Sequence, residues 1–373
     1  MINDYKTEAR ARWGDTDAYR EHEQKTKNYT KEKWAEANDA TMVIFAEFAM
    51  CKASGASADS AEAQALVAKL QAHITENYYT CTDEILAGLG KIYVADERFK
   101  KNIDKYGEGA AEFATGVIAV YIQKMNPYLK NLNKIEFVVT YACTGRCKHC
   151  SEGDHTSCGE RINPQIAADA VRKIAAKYDI KTVMTFGGEP LLYADAVYAI
   201  MTAAKELNIS KRQIITNGYF SKNANKIREV AERLSACGVN DLLLSVDAFH
   251  QETIPLDVVK RFAADAKACG IPIRLQPAWL RSATDDNPYN RKTREILDSF
   301  ADLEISENEG NVIFPEGNAL KYLAEYFMDE VCENPYVEDP RDMHCVSFEP
   351  NGNVLGGNAY DRDIMEILRD YAP

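Results

Sequence analysis

"KIEFVVTYACTGRCKHCSEG" runs from Lys134 to Gly153. Its first half is an apolar, β-branched run bounded by polar residues, the composition of a buried strand. Its second half sets Cys143, Cys147 and Cys150 in a CxxxCxxC spacing. From here the pattern alternates. "IAADAVRKIAAKYD" has the helical period and "KTVMTFGG" reads as a strand. The pairs "YADAVYAIMTAAKELN" and "QIITNG", "NKIREVAERLSACG" and "DLLLSVD", and "LDVVKRFAADAKACG" and "IPIRLQP" repeat the theme. "TREILDSFADL" then predicts a helix and "GNVIFPEG" a sixth strand. Alternating strands and helices imply parallel βαβ units, in an incomplete βα barrel or an open parallel sheet. In either, sites gather in the loops after the carboxyl ends of the strands.

The motifs fall at those ends. The cysteine loop follows the first strand, "GGEP" (Gly187 to Pro190) the second, "TNG" (Thr216, Asn217, Gly218) the third and "SVD" (Ser245, Val246, Asp247) the fourth. Upstream the period differs. "KEKWAEANDATMVIFAEFAMCKASG" predicts one helix ending at Gly55. "SADSAEAQALVAKLQAHITENYYT" predicts another, with Asp59 or Ser60 as N-cap. Two or three more follow, broken at Gly107 and stopped by Pro127. The expected organisation is an all-α domain over 1–125, a linker over 126–133, the βα units over 134–330 and an extension over 331–373.

Composition narrows the function. A formal charge of −13 over 373 residues argues against nucleic acid or anionic membrane as partner. No run approaches a membrane span, and the polar start is unlike a signal peptide, so a cytoplasmic protein is expected. In that compartment ten cysteines read as thiols, metal ligands or redox centres rather than structural disulfides.

Thiolates so spaced favour zinc or iron–sulfur centres, and a spacing of this kind can also be incidental. Structural zinc wants four protein ligands. Three cysteines can hold three irons of a [4Fe–4S] cube and leave the fourth iron open to an outside ligand. With GGEP and TNG at the expected strand ends, the chain resembles the radical S-adenosylmethionine (radical SAM) superfamily. That resemblance implies a partial (β/α)6 TIM-type barrel. It implies a [4Fe–4S] cluster on Cys143, Cys147 and Cys150, with His149 as the aromatic residue before the last cysteine. It implies contacts to S-adenosyl-L-methionine from His149, Gly187, Gly188, Glu189, Thr216, Asn217, Ser245 and Asp247. Reductive cleavage of that cofactor to a 5′-deoxyadenosyl radical would need an external electron donor of the flavodoxin or ferredoxin type.

Other residues stay open. Cys158 reads as a loop thiol, and Cys237 and Cys269 as packed helix ends. His250, Gln276, Trp279 and Arg281 sit in or beyond strand-end loops, where they either line a pocket or serve the fold. "FPEGNAL" (Phe314 to Leu320) reads as a cap for the helix after it. The tail around Cys345 and "NGNV" resembles the SPASM and twitch extensions. Cys332 and Cys345 are too few for a full auxiliary cluster, so a degenerate extension is expected.

The helical region carries a second resemblance. "ARWGDTDAYRE", "YTKEKW", "AHITENYYTCT" and "GLGKIYVADERFKKNIDKYGEGAAEF" occur in the order found in the TipAS drug-recognition domain of MerR-type regulators. The resemblance implies a globin-like helical fold that binds a thiopeptide or other peptidic antibiotic. It leaves Cys51 and Cys81 as either ligand-reactive or buried thiols. Trp13, Trp34, Tyr78, Tyr79 and Tyr93 form either a cleft or a core. No counterpart of the regulators' winged helix precedes residue 7, so direct transcriptional control is not expected. Two functions follow. One is a radical SAM enzyme acting on a substrate that is a candidate peptide or peptide antibiotic. The alternative is an antibiotic sensor or sequestrant whose iron–sulfur barrel is not catalytic.

Overall fold

The structure is a computed structural model that describes residues 2–153, 159–327 and 334–373, with side chains from residue 7 onward. Cys158 and Cys332 lie outside the described residues. The chain divides into two compact units, Met1–Met125 and Asn126–Pro373.

The first unit is helical: α1 (Ile2–Trp13), α2 (Asp17–Thr26), α3 (Lys31–Ala53), α4 (Ala61–Asn77), α5 (Asp83–Ala95), α6 (Glu97–Asp104) and α7 (Ala110–Gln123). Thr16, Thr30, Ser60 and Thr82 each cap a helix by accepting the backbone N–H three residues on. These caps satisfy donors that a helix start otherwise leaves bare. Gly55 follows α3 at a φ of 80°, the left-handed stop the sequence called for. Phe45, Phe48, Val67, Leu70, Leu86 and Val117 form the core, and Cys51, Cys81 and Tyr93 are buried in it. The other aromatics part company with Tyr93. Trp34, Tyr78 and Tyr79 are half-buried around His22, with ring centroids 5.9–6.4 Å from it. Trp13 is 40% exposed and joins neither group.

The second unit begins β1 (Lys134–Val138), α8 (Pro164–Ala175), β2 (Thr182–Phe186), α9 (Ala194–Glu206), β3 (Lys211–Thr216), α10 (Ala224–Cys237) and β4 (Asp241–Ser245). Then come α11 (Ala248–Gln251), α12 (Leu256–Ala268), β5 (Ile273–Gln276), β6 (Ala278–Trp279), α13 (Pro288–Asp298), β7 (Ser306–Glu307), β8 (Asn311–Val312) and α14 (Gly317–Tyr322). It ends with β9 (Cys345–Phe348), β10 (Asn353–Val354), β11 (Gly357–Asn358) and α15 (Ile364–Asp370).

Seven strands form one sheet in the order β7-β5-β4-β3-β2-β1-β9, every pair parallel. Ile135, Phe137, Val183, Ile214, Leu242 and Leu244 share one core with Val171, Val197, Val230 and Phe262 of the crossover helices. Burying both faces explains the near-continuous apolar strands. The sheet is open: β7 and β9 do not pair with each other.

Two departures from expectation matter. "GNVIFPEG" is not the sixth sheet strand. Its β8 pairs with β6 in a separate two-stranded ladder, and the sixth place goes to β7, two exposed residues. The segment expected as an extension also completes the sheet. β9 pairs with β1, and Phe348 stacks on Phe137 at a centroid distance of 4.8 Å. Asn126 ties the start of this unit to its end by donating to the carbonyls of Leu368 and Tyr371. Among the described residues no helix is long and apolar enough to cross a membrane.

Candidate active site at the carboxyl ends of the strands

The cysteine loop leaves β1 and is held from three sides. The first is the turn after β2. Gly188 N–H donates to Thr140 O and Glu189 N–H to Ala142 O, both at 2.8 Å. The two glycines make that approach possible. A Cβ on Gly187 would lie 2.4 Å from Thr140 O, and one on Gly188 would lie 2.2 Å from Ala142 O. Gly187 also has a φ of 140°, which side chains rarely adopt. The close backbone approach that the two glycines serve is therefore to the cysteine loop itself.

The second side is the end of β3. Glu189 is fully buried, and its carboxylate accepts from Leu191 N–H, Thr216 Oγ1 and Asn217 N–H at 2.7–2.9 Å. It is a strut between the β2 and β3 loops. Burial pushes its pKa up to about 7 against the pull of those three donors. Asn217 Nδ2 reaches Cys143 Sγ at 3.5 Å, and Gly145 N–H donates to the same sulfur at 3.3 Å. Thr144 Oγ1 donates to Tyr219 O.

The third side was not anticipated. Asn318, at the start of α14, donates from Nδ2 to Cys147 O, and its N–H donates to Cys150 O. A Cβ on Gly317 would lie 2.2 Å from Ser151 O. "FPEGNAL", expected only to cap a helix, thus clamps the cysteine loop from far along the chain. Its apolar run carries no sign of that; the Gly-Asn pair at a helix start is the one local hint.

One cavity gathers these elements. It is lined by Cys143, Cys147, His149, Cys150, Gly187, Gly188, Thr216, Asn217, Ser245 and His250, with Gly145 and Ile215. Of the residues singled out in the sequence, Glu189 and Asp247 stand behind this wall. Asp247 is fully buried: Oδ1 accepts from the N–H groups of Phe249 and His250, and Oδ2 from Ala278 N–H and His250 Nδ1. Burial works against that charge, yet the facing His250 holds its pKa at about 2, and Asp247 in turn raises that of His250. Gln276 bonds to Asn308 and Asn311, and Trp279 donates to Glu309 O, so both serve the fold. Arg281 follows β6 at a φ of 67° and is not part of the cavity wall. Cys345 lies on β9, on the opposite edge of β1 from β2.

The thiols bear on what the cavity holds. Burial first, and the nearby Glu189 second, push Cys143 up to about 12; burial pushes Cys150 up to about 11. Without a metal they are therefore protonated, and metal loading must release protons. A single zinc ion on three cysteines would need sulfurs about 3.8 Å apart. Among the described residues the three thiols form no such convergent group. Separated sulfurs around one cavity suit the separate irons of a cluster.

Comparison with known proteins agrees with both halves. The family model described as the TipAS antibiotic-recognition domain matches residues 5–121, and that of the radical SAM superfamily matches residues 137–275. The HTH-type transcriptional activator TipA of Streptomyces coelicolor is 37% identical over 123 residues, 33% of this chain and 49% of that protein. A probable GTP 3′,8-cyclase of Saccharolobus islandicus is 27% identical over 255 residues, 65% of this chain and 75% of that protein. Streptomyces lividans TipAS, solved in complex with nosiheptide, is 36% identical; the match covers 32% of this chain and 85% of that one at a TM-score of 0.31. The chain spans about half the length of the first curated relatives it matches. Residues 5–121 thus match the TipAS antibiotic-recognition domain, and residues 137–275 match the radical SAM superfamily.

Proposed function

We propose that this protein is a cytoplasmic radical SAM enzyme whose helical unit recognises a peptide or peptide-derived antibiotic. The observation that carries the reading is the single cavity lined by Cys143, Cys147 and Cys150 together with Gly187, Gly188, Thr216, Asn217 and Ser245. The three thiolates would hold a [4Fe–4S] cluster with one iron lacking a protein ligand. S-adenosyl-L-methionine would fill the rest of the cavity. Bound there, the pair would supply one-electron reductive cleavage of the sulfonium.

The chain's own residues keep the loop in place and charge-compensated. Gly145 N–H and Asn217 Nδ2 point at Cys143 Sγ and stabilise negative sulfur. Glu189 fixes Thr216 and Asn217 against the GG turn. Buried Phe249, Leu280 and Ile313 form an apolar cluster around Cys147 that keeps water off a radical. Electrons would come from a small flavodoxin- or ferredoxin-type donor. In the helical unit, the half-buried Trp34, Tyr78 and Tyr79 offer aromatic area to a ligand.

The test is anaerobic reconstitution. About four irons per chain are expected, and 5′-deoxyadenosine should form with S-adenosyl-L-methionine and reductant. Cys147→Ala should abolish it; undiminished turnover in that variant would overturn the assignment. Titrating nosiheptide against tryptophan fluorescence probes the helical unit. Saturable binding by a chain that never cleaves S-adenosyl-L-methionine would instead support a sensor or sequestrant.

A further inference from the structure

Among the described residues, three metal-ligating atoms converge within 4.8 Å of one another: Cys147 Sγ and one ring nitrogen each from His149 and His250. The histidines come from different elements, the cysteine loop and α11, and their rings meet edge-on at 4.9 Å. His250 is already aimed. Its Nδ1 lies 2.8 Å from Asp247 Oδ2, which leaves the other ring nitrogen to face Cys147, in a hydrogen bond that an ion would replace. A carboxylate behind a ligating histidine fixes its tautomer and ring direction. Asp247 is itself immobilised by three backbone N–H groups, so the ring is held at both ends of the chain of contacts. His149 Nδ1 is buried without a hydrogen-bond partner among the described residues. A buried polar atom left bare is costly, and a ligand removes the cost.

We propose that Cys147, His149 and His250 form a mononuclear site for a borderline transition-metal dication, zinc foremost, that excludes the iron–sulfur cluster from the loop. One thiolate and two imidazoles with a fourth position left to water is a donor set zinc accepts as a tetrahedral centre. On binding, the proton shared by Cys147 and His250 and any other proton on the ligating atoms leave to solvent, and the ion loses water; no electron moves. Exclusion follows because both occupants require Cys147. The exclusion rests on the cluster reading above, whereas dication binding does not. The site makes loading a competition: where zinc arrives first, the protein is held in a state that cannot accept iron and sulfide at that cysteine.

The test uses the full chain, metal-free and anaerobic, titrated with Co(II) as a spectroscopic stand-in for zinc. One equivalent should give the intense visible bands of a four-coordinate ion and a charge-transfer band for a single thiolate, both abolished by added zinc. Cys143→Ala should keep the spectrum. Cys147→Ala and His250→Ala should lose it. Asp247→Asn should weaken binding roughly 10–100-fold. If His250→Ala disturbs the far-UV circular dichroism, His149→Phe provides the same test with the ring volume kept. A spectrum lost in Cys143→Ala yet retained in the histidine variants would place the ion on the thiols and overturn the proposal. In the second arm, the zinc-loaded chain should take up less than a tenth of the iron taken up by the metal-free chain. Full iron uptake with zinc still bound would overturn exclusion. A chain that takes up no iron even without zinc would sink the cluster reading and leave the Co(II) result standing.

Discussion

Strand β4 begins on Asp241 and leads into Asp247, and the two carboxylates are neutralised in opposite ways. Asp241, at the amino end of the sheet, is nearly buried and pairs with permanent cations: Arg274 at 2.6 Å and Lys211 at 3.2 Å, with Gln213 Nε2 at 2.5 Å. Those cations are themselves partly exposed, so water shares the work. Asp247, at the carboxyl end, is fully buried and pairs with backbone N–H groups and one histidine. The far nitrogen of that histidine faces the cavity. The first arrangement uses up its charge within the fold. The second passes it through an imidazole to a cysteine that the sequence marks for metal. A buried carboxylate at the head of a parallel strand is thus part of the framework, and one at the tail is part of the site, even when neither touches the cavity.

Three substitutions and one control sharpen the contrast. The largest effect is expected for Asp247→Ala. It leaves His250 buried without its partner and removes the cap of α11, at a cost of about 3–5 kcal/mol. Denaturant unfolding of the metal-free chain should show it, together with loss of iron binding. If Asp247→Ala behaves like a surface change, the carboxyl-end pair is not the fixed device described here.

An intermediate effect is expected for Gly188→Ala, whose Cβ would run into Ala142 O at 2.2 Å. Neither partner is a flexible side-chain end, so the cysteine loop must shift, at about 1–3 kcal/mol and with loss of cluster uptake. Gly270, before β5 at the other end of the sheet, is the control. Its φ is 76° but nothing lies within 4 Å of a Cβ there. Gly270→Ala should cost about 1 kcal/mol for the left-handed backbone alone and leave iron uptake intact.

The smallest effect is expected for Asp241→Asn, about 1 kcal/mol, because its cations remain wetted. The hydrogen bonds from Arg274, Lys211 and Gln213 outweigh burial and hold its pKa below the ordinary carboxylate value. Its contribution is therefore present at neutral pH and vanishes as pH falls through that lowered value. Melting temperatures of wild type and variant should converge in acid; a gap that persists there would mean the charge is not what matters.

The legible parts of the fold were those written locally. β1 to β5 are short apolar runs between polar turns, and the turns after β1 to β4 each carry a motif, so the end of the sheet where the motifs gather could be read directly. Ser306–Glu307 could not, because an exposed two-residue edge strand needs no apolar side chain. "NVIF" in "GNVIFPEG" looked like the better strand and instead sends Ile313 into the small cluster around Cys147. Asp247 was legible as a residue of the site but not in its role. "DAFH" places a histidine three residues after a helix-capping aspartate, the spacing at which the two side chains meet. GGEP shows the same limit: its glycines line the cavity and also admit the backbone of the cysteine loop, and the sequence carries no sign of the second contact. Asn318 was illegible, because its partners lie on a loop that only the tertiary fold brings near.

The pairing of β9 with β1 has a consequence for how the protein is made. β1 carries the cysteine loop, and one flank of β1 stays an open edge until Cys345–Phe348 emerges from the ribosome, long after the cysteines themselves. Asn133 and Lys134 both find His344 O through this late pairing. The clamp from Asn318 also arrives late. The loop that is translated early is therefore the last part of the sheet to be secured, and a nascent chain displays three thiols on an unfinished template. Folding order alone then favours any metal uptake after Cys345–Phe348 has paired over uptake before it.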